Sequence, residues 1–519
     1  MKPRDILNKM VMFFPDKEIL ISPEKRQTSK ELVERSFALA NALLNLGLKK
    51  GDKVAVLLSN SHQSVESFCG LMSAGLVRVA LNTRHTGREH LYVLDNSESK
   101  ALIIGEEYLP VISPVLPEAK NITTVISVTN GTIRGMFSYE ELIDQAPKSE
   151  PQIELFDEDD HRLSYTSGTT GLPKGVIHTN RASMISVYNT LLDGLDIRST
   201  DVVALTSPVT HASGSMILPH FVRGAKVVIL PGFNSRLLLE TIEKERITTL
   251  YLVPTTIVML LNDPELKKYD LSSLRTIRYG ASPIAPEVLK KAIEAFGHVF
   301  VQGYGLTEGS MPLTLLTKED HILNGSEKKL KRLASVGREV TVAKVRIMDE
   351  NGEFLPPGQI GEIVAQSDQI MKEYWKNPQA TAEALRGGWL HTRDMGYMDE
   401  DSYLFLVDRK DDMIVSGGFN VYPKEVEDVL YMHPAVLEAA VFGVPDEKWG
   451  ETVKAALSLK EGMAVTEEEI IEFCKKHLSG YKKPTSIDFM KELPKNQNGK
   501  IMRKELKEPY WRGKARRIN

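Results

Sequence analysis

The stretch YTSGTTGLPKGV, Tyr165–Val176, lies about a third of the way along a chain of 519 residues. Its twelve residues hold four Ser/Thr, three Gly, one Pro and one Lys. Such a run is either an unstructured linker or a loop that turns backbone N–H groups and hydroxyl donors onto an anion, with a lysine adding charge. The Walker pattern GxxxxGK[ST] does not fit, because Pro173 stands where its second Gly is required and Gly175 follows Lys174. Composition alone leaves both readings open, so the flanks have to decide. HRLSYT ahead of the loop reads as a short strand, and VIHTNRASMISVYNTLLDG behind it reads as turning helical.

Further out, strand and helix patterns alternate. In KELVERSFALANALLNLG the apolar or small positions 32, 33, 36, 37, 40, 43, 44 and 47 follow a helical period, with Gly47 placed to end the helix. KVAVLL, VRVAL and ALIIG read as strands around the helix SVESFCGLMSAG, which predicts βαβ units and a parallel sheet. The pattern returns in VVALTSP, AKVVILPG, TTLYLVP and LRTIRYGAS. After about residue 340 the chain turns to short strands with DENG and PPG turns. A last unit starts near Asp408 and holds the helices KEVEDVLYMH and TEEEIIEFCKKH among four strands, enough to fold by itself. These patterns predict an α/β chain with a domain at 1–408, a second at 409–519, and a boundary at Arg409–Asp411.

A net charge of −4 gives no electrostatic reason to expect a nucleic-acid partner. The apolar run Met10–Phe14 is cut by PDKE and is too short for a signal peptide, and no later run reaches the length of a membrane span. Two distant cysteines, Cys69 and Cys474, make no disulfide framework and fit a reducing, cytoplasmic setting. The last three residues, RIN, are not a peroxisomal address.

The loop closely resembles the signature of the adenylate-forming superfamily, which includes acyl- and aryl-CoA ligases, nonribosomal adenylation domains and beetle luciferases. Six more segments resemble that family's motifs in its order: YGASPI (279–284), QGYGLTE (302–308), GEIVAQSDQIMKEYWKNPQAT (361–381), GWLHTRDMG (388–396), DRKDDMIVSGGFNVYPKEVE (408–427) and PKNQNGKIMRKEL (494–506). The resemblance spans residues 165–506. It implies a large N-terminal domain of packed β-sheets, flanking helices and a β-barrel-like subdomain, plus a small mobile α+β lid. The activity it implies is a two-step ligation: acid and ATP give an acyl-adenylate and pyrophosphate, then coenzyme A takes the acyl group.

The resemblance also implies roles residue by residue. Thr166, Ser167, Gly168, Thr169, Thr170, Gly171 and Lys174 would close over the β- and γ-phosphates. Tyr304 would offer its flat face to adenine beside Gly280, Ala281, Ser282 and Gly305. Thr307 would bond the α-phosphate, Glu308 would hold Mg²⁺, and Asp394 with Arg409 would take the ribose. Lys500 looks like the adenylation lysine, a point charge on a long stem between attacking oxygen and phosphate. Asp411 looks like the hinge of the lid, and Ser416, Gly417 and Gly418 like the wall of the pantetheine tunnel. Where the family usually has Gly, this chain has Arg393, so local backbone freedom is in question.

THAS (210–213) stands where amino-acid adenylation domains carry an acidic residue, so an amino acid is disfavoured and His211 becomes a candidate for flanking the substrate carboxylate. The acyl pocket is expected to include Val209, His211, Ser213, Gly214, Gly280, Gly303, Ser310 and Met311, a small and apolar wall suited to an acyl chain or a compact ring. Apart from His211 these residues include no cationic side chain, which disfavours a dicarboxylate. No carrier-protein domain is expected after Leu506, which favours coenzyme A as acceptor. GEIVAQS in place of the Cys-containing GEICIRG weakens a hydroxycinnamate substrate. The alternatives are an aryl-acid–CoA ligase, a ligase loading a carrier protein, a luciferase-like oxidase and a nucleotide-binding regulator without turnover. Expected partners are a small carboxylic acid, ATP, Mg²⁺ and CoA, with a homodimer left open.

Overall fold

The structure is a computed structural model. It describes residues 1–512 other than 130, 132, 167–172, 211, 410, 411, 417, 418, 447, 497 and 498, and of Arg409 the backbone alone. Ser167–Gly171, His211, Asp411, Gly417 and Gly418 therefore lie outside the described residues, as does the Arg409 side chain.

The first helix pattern forms Ser29–Asn45, opened by a capping box. Thr28 Oγ1 accepts from the Glu31 N–H at 3.2 Å, and the Glu31 carboxylate accepts from the Thr28 N–H at 2.8 Å. Gly47 follows at φ +93°, a left-handed conformation that favours glycine. Around such helices the apolar runs assemble two large sheets. In one, Lys53–Leu57 lies between Val77–Ala80 and Ala101–Gly105, all parallel, and Asp160–Thr166 joins parallel to Val77–Ala80. In the other, Val202–Leu205, Thr249–Leu252, Thr276–Gly280 and Phe300–Leu306 run parallel in that order. Helices on both faces bury these strands, which is why they read as unbroken Val/Ile/Leu runs.

One expectation fails beside the signature loop. The chain does not turn helical at Val176, because Lys174–Thr179 is a strand that pairs antiparallel with Asp160–Thr166, and the helix begins at Asn180. The loop thus joins two neighbouring strands of one sheet. Thr179 Oγ1 then caps the helix by accepting from the Ala182 N–H at 3.2 Å.

After the two large sheets comes a smaller antiparallel sheet of Lys344–Met348, Gly361–Gln366, Leu390–Met398 and Leu404–Arg409. The next strand, Ile414–Ser416, belongs to another sheet with Gly450–Leu459 and Val436–Asp446, so sheet membership changes between Arg409 and Ile414. Arg503 crosses that junction. Its guanidinium bonds Glu427 at 2.7 Å, Asp408 at 3.2 Å and Asp412 at 3.4 Å. Arg503→Met should leave these carboxylates uncompensated and cost about 3 kcal/mol, since breaking a buried pair costs more than the pair contributes. Calorimetry should show the small domain melting earlier while the large one keeps its transition.

Candidate active site

A cavity of about 1410 Å³ lies between the large sheets and the small domain. Thr166, Lys174, Ala281, Ser282, Gly303, Tyr304, Gly305, Thr307, Glu308, Asp394 and Lys500 all line it, with Gly214, Ser310 and Met311. Residues from all six of the other sequence motifs and from the signature loop's ends face this one space.

The strands set the geometry. Tyr304 comes from Phe300–Leu306, and its hydroxyl donates to Asp394 Oδ2 at 2.8 Å. Asp394 lies directly across from Arg409 in the antiparallel pair Leu390–Met398/Leu404–Arg409, so the two expected ribose residues are cross-strand neighbours. Thr307 and Glu308 follow at the strand's end in a single 3₁₀ turn. Tyr374, passed over in the sequence, donates its hydroxyl to Glu308 Oε1 at 2.8 Å, and the Lys174 ammonium lies 5.2 Å from the centre of the same ring. Burial and the Glu308 charge both hold the Tyr374 phenol protonated by raising its pKa.

Arg393 takes φ +63°, the left-handed conformation in which Gly is favoured, and is held there by its N–H donating to Glu362 Oε1 at 3.0 Å. The departure from the usual Gly is thus absorbed as local strain, and Asp394 keeps its place in the cavity wall.

The turn 495–501 brings Lys500 in from the small domain. Thr255 Oγ1 donates to the Gly499 carbonyl at 3.0 Å and Arg84 to the Lys495 carbonyl at 2.8 Å. Asn496 closes the turn, accepting from the Lys500 N–H at 3.0 Å.

Several expected pocket residues do not face the cavity. Val209 is 2% exposed and donates its N–H to Asn60 Oδ1; Ser213 is fully buried and donates to the carbonyls of Ser207 and Pro208. Gly280 serves strand packing rather than access for a base, because a Cβ there would stand 2.5 Å from the Gly303 carbonyl oxygen. Ser416 sits in Ile414–Ser416, away from the cavity lining.

The wall also corrects the expectation that cations are missing. Arg78 and Arg162 both line the cavity, and neither has an ion pair among the described residues. Burial pushes the Arg162 guanidinium down to about 10; burial with the charge of Arg162 beside it pushes Arg78 down to about 9, so both remain charged at neutral pH. His161, also in the wall, is pushed down to about 3, chiefly by burial and then by Arg162 and Arg78, and is neutral.

Residues 8–375 match the AMP-binding enzyme family and residues 425–500 its C-terminal domain. The chain belongs to the AMP-binding enzyme family. It is 35% identical over 490 residues to the long-chain-fatty-acid–CoA ligase FadD13 of Mycobacterium tuberculosis, covering 94% of each chain. It is 35% identical over 499 residues to the fatty acid–[acyl-carrier-protein] ligase ScoC of Streptomyces coeruleorubidus, covering 95% of this chain and 93% of that one. The crystal structure of the anthranilate CoA ligase AuaEII in complex with anthranoyl-AMP superposes with a TM-score of 0.90 at 28% identity, over 98% of this chain and 97% of that one. The α/β architecture with a large sheet domain and a smaller C-terminal domain is that of the AMP-binding enzymes.

As an AMP-binding enzyme the chain is an adenylate-forming acid–thiol ligase. No group of three His, Cys, Asp or Glu that could hold a metal occurs among the described residues. Glu308 nonetheless suits Mg²⁺, a hard cation that takes one carboxylate plus phosphate and water oxygens and needs no all-protein cage. Among the described residues no helix is long and apolar enough to cross a membrane.

Proposed function

We propose that the enzyme activates an acid with an apolar body, fatty in the first instance, as its acyl-adenylate and passes the acyl group to coenzyme A. The observation that carries the reading is the meeting of Lys500, Thr307, Glu308, Asp394 and Tyr304 on one cavity whose remaining wall includes Val187, Leu218 and Met311. Attack of a carboxylate on the α-phosphate brings two anions together, so catalysis depends on donors and cations fixed where charge accumulates. Lys500 neutralises the attacking oxygen and the phosphate, and Thr307 donates to the phosphate. Tyr304 packs the adenine and steadies Asp394, which accepts from the ribose hydroxyls with Arg409 beside it. Glu308 would hold Mg²⁺, whose charge offsets that of the leaving pyrophosphate. Ser167–Gly171 and Lys174 would close over the β- and γ-phosphates, and His211 would flank the substrate carboxylate.

After pyrophosphate leaves, the domain 409–519 turns about Asp411 and brings Ser416, Gly417 and Gly418 to the channel for the pantetheine arm. Asp411→Pro is expected to keep adenylation and lose at least about tenfold in thioester formation, because proline fixes the backbone angle that must change. An overall rate equal to wild type would remove Asp411 from the hinge.

The reading is tested by pyrophosphate release across fatty, aryl and amino acids, with and without CoA, and by mass spectrometry of the product. Acid-dependent release and an acyl-CoA product support it. Release indifferent to CoA would favour a carrier protein as acceptor, the activity in ScoC's name. The reading assigns the enzyme to the cytoplasm.

A further inference from the structure

Arg78 and Arg162 are direct partners in the parallel pairing of Val77–Ala80 with Asp160–Thr166. Their side chains therefore leave the sheet on the same face, side by side, and both reach the cavity. Across the next strand, His178 is the register partner of Arg162. Two cations on adjacent strands repel each other, and burial strengthens the repulsion.

What faces them does not compensate. The Phe68 ring lies 4.8 Å from the Arg78 guanidinium carbon, and Arg162 donates to Ser310 Oγ at 3.0 Å. An aromatic face and a neutral hydroxyl replace little of the water that two guanidinium groups give up on burial. Arg162 Nε has no hydrogen-bond partner among the described residues. His161 is held neutral by burial, Arg162 and Arg78, and His178 by burial, Arg162 and His161, so neither adds a charge that would balance the pair. The carboxylate closest by sequence on the helix carrying Phe68, Glu66, is already engaged by Arg35, Gln27 and Tyr139. Arg278, which is fully buried, does not border the cavity.

A wall meant only for hydrocarbon has no use for this pair. Two forks of donors beside each other match a carboxylate or a similar oxyanion. Ser310, which Arg162 holds, is two residues from Glu308, so the pair borders the same space as the reacting groups. We propose that Arg78 and Arg162 receive a second acidic group on the carboxylic acid substrate, so that the acid is a dicarboxylate with an apolar body between its ends. The proposal rests on the ligase reading above and narrows its substrate class.

The test compares kcat/KM for pyrophosphate release with straight-chain monocarboxylic acids and α,ω-dicarboxylic acids of equal carbon number, from short to long. At one length the diacid should be preferred by at least about tenfold, and Arg162→Met should lower the diacid-to-monoacid ratio by about 100-fold, since a site built around hydrogen bonds to a polar group discriminates strongly. Arg162→Lys should recover part of the ratio. Should Arg162→Met fail to fold, Arg78→Met gives the same reading. Preference for the monoacid at every length, with a ratio that Arg162→Met does not change, would overturn the proposal and leave the ligase reading intact. Release with neither series would count against the ligase reading. The pair would then be judged by melting: a diacid that raises the Tm of wild type but not of Arg162→Met supports it, and no such shift overturns it.

Discussion

Lys500→Ala is expected to slow pyrophosphate release from acid and ATP by about 10²–10³-fold, the usual loss when one fixed donor at the developing charge is removed. The same variant should convert preformed acyl-adenylate and CoA to thioester within about threefold of wild type, because in that step no second anion has to be brought to the phosphate. The segment that carries the lysine is docked on the large domain through Thr255 and Arg84. Gly499 makes that docking separable from the charge. Its φ is +75°, and a Cβ there would stand 2.7 Å from Thr255 Oγ1 and 3.2 Å from Val253 Cγ2. Gly499→Ala should therefore reproduce much of the adenylation defect with the lysine intact and leave the thioester step unharmed. Single-turnover assays of the two half-reactions decide the matter. Equal loss in both, for either variant, would mean that the turn serves the cavity in one fixed position.

The large parallel sheets were legible because strands buried on both faces must be apolar throughout, and Val54–Leu57 and Ala101–Ile104 are. Strand order was not, since neighbours such as Val77–Ala80 and Asp160–Thr166 are about eighty residues apart and nothing local specifies the pairing. Val176–Thr179 was absorbed into the helix behind it, although two β-branched residues in succession and a capping Thr were strand and boundary signals. At the site, the motifs gave Tyr304, Asp394 and Lys500; Tyr374 also stands in one of them, but its meeting with Glu308 depends on Glu373–Tyr374 pairing with Val176–Ile177, which no local pattern specifies. Arg78 and Arg162 escaped for the same reason. Each alone reads as a surface arginine, and only the register makes them a pair facing inward.

Glu308→Gln should separate the carboxylate's charge from its shape. Tyr374 donates to Glu308 Oε1, and an amide oxygen can accept that same bond, so the ring and the Lys174 ammonium beside it keep their places. What is lost is the negative oxygen that a hard cation requires. The expected result is a fall of about 10²–10³-fold in adenylation, accompanied by at least about a tenfold rise in the Mg²⁺ concentration needed for half-maximal pyrophosphate release. Tyr374→Phe, which removes the hydrogen bond and leaves the charge, should change both quantities only a few-fold. Because no three-ligand metal group exists among the described residues, neither variant should alter the melting of the nucleotide-free protein in response to Mg²⁺. A fall in rate with an unchanged Mg²⁺ requirement would instead assign Glu308 to holding Tyr374 and the strand Glu373–Tyr374 against the strand Lys174–Thr179. The pairing of those strands would then be the reason for the carboxylate.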